Sequence, residues 1–168
     1  MSSAEANVKT WFFKEDGGIP NHPRLPVLLY KGAFSDNTER TEKLFNRHNW
    51  LNSWTNGVFD YHHYHSNAHE VLGVISGSAV VLLGGEHGEQ IELKTGDVVV
   101  LPAGTGHKKL SASSDFKIVG AYPDGMEPDL HKESESVTPA SREKIGSVPV
   151  PDTDPVFGED GPLLRLWK

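Results

Sequence analysis

Three histidines and one glutamate stand at intervals that suit metal coordination. Gly57, His63, His65, Glu70 and Gly77 follow the pattern G-x5-H-x-H-x4-E-x6-G, and Gly96, Pro102, Gly104 and His107 follow G-x5-P-x-G-x2-H. Nine specified positions fall in order; with Gly at roughly 7% and Pro at roughly 5% of ordinary sequence, chance delivers this on the order of once in 10¹⁰ trials. Imidazole nitrogens with a carboxylate suit a borderline divalent ion, Fe, Mn, Ni, Co or Zn, and the absence of sulfur ligands disfavours Cu(I). The chain has no cysteine, so thiolate sites, disulfides and cysteine nucleophiles are excluded together.

Strand geometry explains the spacing. Residues two apart on a strand share a face, so His63 and His65 project together. Ser66-Asn67-Ala68 reads as a turn, and a hairpin there returns Glu70, at the head of the apolar run Val71 to Ile75, beside the two imidazoles. Asp97 to Leu101 is a β-branched run closed by Pro102-Ala103-Gly104-Thr105-Gly106, which delivers His107 on the next strand. Four protein ligands leave one or two positions for water, dioxygen or a chelating substrate.

These two blocks resemble the two motifs of the cupin superfamily. The stretches GGIPNHPRLPVLLYKGAF, HYHSNAHEVLGVISGSAVVLLGG, PAGTGHKKLSASSDF, VGAYPDGMEPDL and TDPVFGEDGPLLRLW extend the resemblance along most of the chain to the YjlB-like group of small single-domain bacterial cupins. Ser111 stands where many cupins carry Asn, a position that is not a ligand. The resemblance implies an all-β fold of the RmlC-like kind, a double-stranded β-helix or jelly-roll barrel, holding one divalent ion through His63, His65, Glu70 and His107. It also implies a homodimer. His69 competes with Glu70, since an x3 spacing also occurs in the superfamily; the six residues between Glu70 and Gly77 favour Glu70.

Around these ligands, parity assigns further roles. Phe59 and Tyr61 share the parity of His63 and His65; Phe59 is expected in the core, and the Tyr61 hydroxyl is a candidate for orienting a bound molecule. Lys109, two residues beyond His107, is expected on the ligand side, where its ammonium would meet an anionic group. These two are the candidate catalytic residues. His62 and His69 have the opposite parity and are expected at the surface, in packing, or behind the ligands. His22, His48, His87 and His131 receive no chemistry, and Glu86 and Glu89 read as a solvated cluster.

The elements that must position these side chains are short strands and Gly-rich turns from Trp54 to about Ile118, the rhythm of an antiparallel barrel. One domain over residues 1–168 is expected, with a barrel core at about 50–122, an N-terminal extension over 1–49 and a C-terminal extension over 123–168. Trp11 to Phe13 and Leu25 to Tyr30 read as covering strands. Asp36 and Glu39 suggest a capping box opening a helix over about 37–48, and Thr138, Pro139 and Gly146 suggest a short helix over 139–145. Leu163 to Trp167 reads as a final strand.

Charge narrows the partners. A formal charge of −7 and no Lys/Arg cluster beyond Lys108-Lys109 argue against nucleic acid and anionic membranes. The start lacks a secretory pattern and no apolar run approaches a span, so a cytoplasmic protein with a small-molecule ligand is expected. Nucleophile elbows and phosphate loops are missing. The reading is a metal-dependent enzyme, of dioxygenase, isomerase or lyase type, acting on a small oxygen-chelating metabolite. The alternative is a non-catalytic binder of a metabolite or metal.

Overall fold

The computed structural model describes residues 8–168; the N-terminal stretch read for a leader lies, over 1–7, outside the described residues. Among the described residues, eleven strands form two antiparallel sheets: β1 Val8–Trp11, β2 Val27–Tyr30, β3 Trp50–Asn56, β4 His63–Tyr64, β5 Glu70–Ser76, β6 Ser78–Leu83, β7 Glu89–Lys94, β8 Val98–Leu101, β9 His107–Ala112, β10 Lys117–Pro123 and β11 His131–Lys132. One sheet runs β1-β2-β8-β5-β10-β3 and the other β11-β4-β9-β6-β7. The fold is thus mostly β, as expected of the cupin barrel.

The central strands of the six-stranded sheet are buried on both faces, which is why β2 and β8 are continuous apolar runs without alternation. Its inner face, with Leu29, Leu72, Val74, Val99 and Ile118, packs on Ala79, Val81, Leu83, Ile91 and Leu93 of the five-stranded sheet. Its outer face, with Leu28, Val71, Val100, Val119 and Ala121, is covered by Phe34, Phe45, Trp50, Leu163 and Trp167. By contrast β7 alternates exposed and buried residues, one face wet and one in the core.

Helix α1, Thr41–Arg47, seats Phe45 on that outer face, continuing a single 3₁₀ turn over Thr38–Arg40. A Cβ on Gly73 would lie 2.7 Å from Thr41 Cγ2 and 2.8 Å from Phe45 Cζ, so only glycine lets the helix approach this closely. The helix lies where it is expected, but the capping box does not form: Asn37 precedes the first turn and no side chain caps it. Helix α2, Pro139–Ser147, does open on a capping box, Thr138 with Ser141, and runs past Gly146. The expected final strand is instead a helical turn, α3, Leu163–Leu166, which sinks Leu163 and Trp167 into the outer core. An apolar run this short fits either period, and packing decided it. β1 also begins earlier than the Trp11–Phe13 run, leaving Phe12 half exposed.

Candidate metal centre

The four proposed ligands arrive from both sheets. His63 opens β4 and lies opposite His107, which opens β9, in the five-stranded sheet. Glu70 opens β5 in the six-stranded sheet, opposite Leu101 of β8. The expected hairpin from β4 to β5 therefore does not form: the Ser66-Asn67-Ala68 turn carries the chain across the sandwich, and Glu70 faces the imidazoles through the core. Its parity is that of Leu72 and Val74, on the inner face, whereas His69 shares the outer face with Val71.

His65, Glu70 and His107 offer ligand atoms that all lie within 4.8 Å of one another. His65 Nε2 is 3.3 Å and His107 Nε2 3.5 Å from Glu70 Oε1. His63 stands just outside this triad, its ring centroid 3.9 Å from that of His107 and 6.1 Å from that of His65.

The other ring nitrogens fix the chemistry. His63 Nδ1 is 3.0 Å from the Tyr61 carbonyl, His65 Nδ1 2.5 Å from that of Asp129 and His107 Nδ1 3.0 Å from that of Thr105. A carbonyl only accepts, so each Nδ1 carries the proton and each neutral ring turns an Nε2 lone pair outward. Two of those lone pairs then face the Glu70 carboxylate at little over 3 Å, which is repulsive unless a positive charge lies among them. This donor set fits a divalent ion. Without one, a proton takes its place: burial opposes charge on His65, but the adjacent Glu70 prevails and holds its imidazole above the ordinary range. Burial likewise pushes Glu70 up, and His65 and His107 more than reverse that, keeping it ionised well below the usual carboxylate range. Burial and the neighbouring His107 push His63 down to about 3.

A cavity of about 320 Å³ opens over this cluster, lined by Trp54, Thr55, Asn56, Gly57, Val58, Phe59, His63, His65, Glu70, Leu72, His107 and Tyr122. Tyr122 escapes the sequence reading. It lies on β10 beyond Ala121, which pairs with Val71, so the ladder sets it beside Glu70. Its hydroxyl accepts the Trp54 indole N–H at 2.8 Å and bonds to Glu70; burial and that carboxylate raise it far above the ordinary phenol range, so it stays a donor. Alternation from Ile118 through Gly120 was the available signal, masked because the strand continues past the expected barrel rhythm.

Other expectations fare unevenly. Phe59 is not core: it is 50% exposed at the cavity wall, with Tyr61 stacked on it at 5.0 Å. Tyr61 touches His63 edge-on at 5.6 Å but does not line the cavity. Lys109 pairs with Val81, which places it on the inner face with His107, yet it too is absent from the lining. His62 and His69 are both buried rather than superficial. His62 bonds Glu86 at 2.8 Å, and the Glu86 side chain stays largely solvated, as expected. His69 accepts the Ala103 N–H and packs against Trp167.

Residues 54–117 match the family model described as "Cupin domain". Over 163 residues, 97% of this chain and 98% of the other, the sequence is 46% identical to "Uncharacterized protein YjlB" of Bacillus subtilis (strain 168). Solved structures show weaker likenesses. The WlaRB TDP-quinovose 3,4-ketoisomerase of Campylobacter jejuni is 21% identical over 45% of this chain, with a TM-score of 0.38; the match spans 63% of that protein's length. Acireductone dioxygenase from Bacillus anthracis, with a cadmium ion in its active centre, is 17% identical over 57% of this chain and 65% of its own, with a TM-score of 0.37. Likenesses at this level are to the fold alone.

Proposed function

The chain belongs to the cupin family, and on that premise we propose a metal-dependent enzyme that acts on a small, oxygen-chelating molecule bound in the cavity above His63, His65, Glu70 and His107. One observation carries the reading: the His65 and His107 lone pairs converge with the buried Glu70 carboxylate on the cavity floor, His63 stands beside them, and every Nδ1 proton is engaged behind the rings. A single divalent ion would supply Lewis acidity there, or a centre for dioxygen chemistry. The chain's own residues do the rest. Trp54, Val58, Phe59 and Leu72 exclude water, and Thr55 and Asn56 offer polar contacts on the same wall. Tyr122 occupies one Glu70 oxygen as a hydrogen-bond donor, favouring one-oxygen coordination by that carboxylate. Tyr61 steadies His63 from behind, and Lys109 adds positive charge on the inner face without lining the cavity.

A non-catalytic binder is the second reading, favoured by one feature: apart from the four ligands, Tyr122 is the sole titratable residue among the described residues lining the cavity. Two measurements decide. Elemental analysis after reconstitution should give one ion per chain in the wild type and almost none in Glu70→Gln. Incubation of the loaded protein with fractionated small polar metabolites should deplete one of them in large molar excess over protein; depletion that stops at one equivalent supports the binder, and a wild type that takes up no Fe, Mn, Co, Ni or Zn removes the proposal. The reading includes a cytoplasmic homodimer, which light scattering of the purified protein tests for oligomeric state.

A further inference from the structure

His63 and His107 are oriented locally. Each gives its Nδ1 proton to a carbonyl two residues back, in the turn that leads into its strand, Tyr61 and Thr105. His65 has no such local support, because β4 ends at Tyr64. Its main chain is held by the Gly104 N–H at 2.7 Å, but its ring takes its acceptor from Asp129, 64 residues further on.

Asp129 lies between β10 and β11, in a stretch with no ladder of its own, and a carbonyl there has no fixed direction unless something else sets it. The setting is done by the same residue. Asp129 Oδ1 accepts the Ser66 N–H at 2.7 Å, Oδ2 accepts the Ser66 hydroxyl, and the Asp129 N–H donates to Asn67 Oδ1 at 2.9 Å. Three consecutive residues, His65, Ser66 and Asn67, are thus bonded to one. Asn67 Nδ2 adds a bond to the Glu127 carbonyl, and Lys144 of α2 and His131 of β11 also hold Oδ2, at 3.1 and 3.2 Å, with His131 Nε2 3.3 Å from the Ser66 hydroxyl as well.

We propose that Asp129, outside the barrel, is the positioning residue for His65: by gripping the turn that follows the ligand it fixes the tautomer and direction of that imidazole. The consequence for metal affinity rests on the metal-dependent reading above; the consequence for the ring itself does not.

The test uses the full chain and Co(II) alone. In Asp129→Ala, Co(II) affinity in chelator competition should fall about 10- to 100-fold, the usual loss when the group behind a ligand is removed, and the visible spectrum of the loaded protein should change. In the metal-free protein, at a pH high enough to leave the ring neutral, nitrogen NMR should show His65 as the Nδ1–H tautomer in the wild type and as a mixture in the variant, with His63 and His107 unaltered. Asp129→Asn keeps the shape while losing the charge that Lys144 meets, and should lie between the two; it serves if the alanine variant does not fold. Wild-type affinity, spectrum and His65 tautomer in whichever variant folds overturn the proposal. A wild type that binds no Co(II) sinks the metal reading alone, and the tautomer then decides the role of Asp129.

Discussion

Tyr122→Phe isolates the hydrogen-bonded chain that runs from Trp54 through the phenol to Glu70. The substitution keeps the ring that faces His65 at 6.1 Å and deletes one oxygen. That oxygen makes two bonds. One is to a buried carboxylate, worth ~1.5 to 3 kcal/mol as a charge-assisted contact, and the other is a neutral bond from the Trp54 indole, worth ~0.5 to 1.5 kcal/mol. A loss of about 2 to 4.5 kcal/mol follows for the metal-free protein, or roughly 4 to 18 °C in melting temperature for a chain of this size. Urea denaturation of the wild type, Tyr122→Phe, Glu70→Gln and the double variant, all in chelator, closes a double-mutant cycle around the Tyr122–Glu70 pair. The coupling should be ~1.5 to 3 kcal/mol. A coupling near zero, or a Tyr122→Phe protein within ~0.5 kcal/mol of wild type, would show that the phenol does not hold Glu70, and the one-oxygen coordination argued for that carboxylate would lose its support.

Gly120→Ala should disturb the same chain from beneath, because its Cβ would sit 2.3 Å from two Trp54 ring carbons and 2.6 Å from Nε1; the displaced indole costs ~1 to 3 kcal/mol as overpacking, read by denaturation and tryptophan emission, and an unchanged protein refutes the packing. Tyr30→Phe removes a 2.5 Å bond to the fully buried Asp154 and should lower stability by ~1.5 to 3 kcal/mol with metal uptake intact; lost uptake at normal stability would contradict that separation. His22 and His69, 6.2 Å apart, are pushed down by burial to about 4 and about 3. Their folded-state values lie below the unfolded value near 6.5, so their contribution is complete above pH 6.5 and is lost as pH falls toward 4 and then 3. The metal-free His22→Gln/His69→Gln protein should show a flatter fall in stability over that range, and an undiminished slope would assign the acid sensitivity elsewhere.

The clustering of His65, Glu70 and His107, with His63 beside them, was legible in the sequence because it is written in local terms: two-residue parity within a strand, and glycine and proline marking where each strand must stop. The same parity put Lys109 on the inner face beside His107, opposite Val81. Parity says nothing about which sheet a strand joins, however, and so the Ser66-Asn67-Ala68 turn read as a hairpin when it is a crossing. Nor does it measure depth, which is why Phe59 was expected in the core and stands at the cavity wall. Tyr122 and Asp129 were illegible for a different reason. Each acts through a residue more than 50 positions away, and nothing in its own neighbourhood marks it: Tyr122 follows Gly120 and Ala121 near the end of its strand, and Asp129 sits in a polar stretch that resembles any loop.

The C-terminal stretch from Asp154 to Trp167 bears on when this protein can fold. Asp154 takes the Tyr30 hydroxyl and the N–H groups of Val156, Phe157 and Leu163, and the Trp167 indole donates to the Pro26 carbonyl. The second strand is therefore covered by residues made 124 to 141 positions later. During synthesis, Phe34, Phe45 and Trp50 can cover part of the outer face of the six-stranded sheet, but the part under Leu163 and Trp167 has no lid until these have left the ribosome. An emerging chain must carry that part of the apolar face exposed in the meantime, a window in which holding chaperones or slow translation of this stretch would change the yield of folded protein more than its final stability.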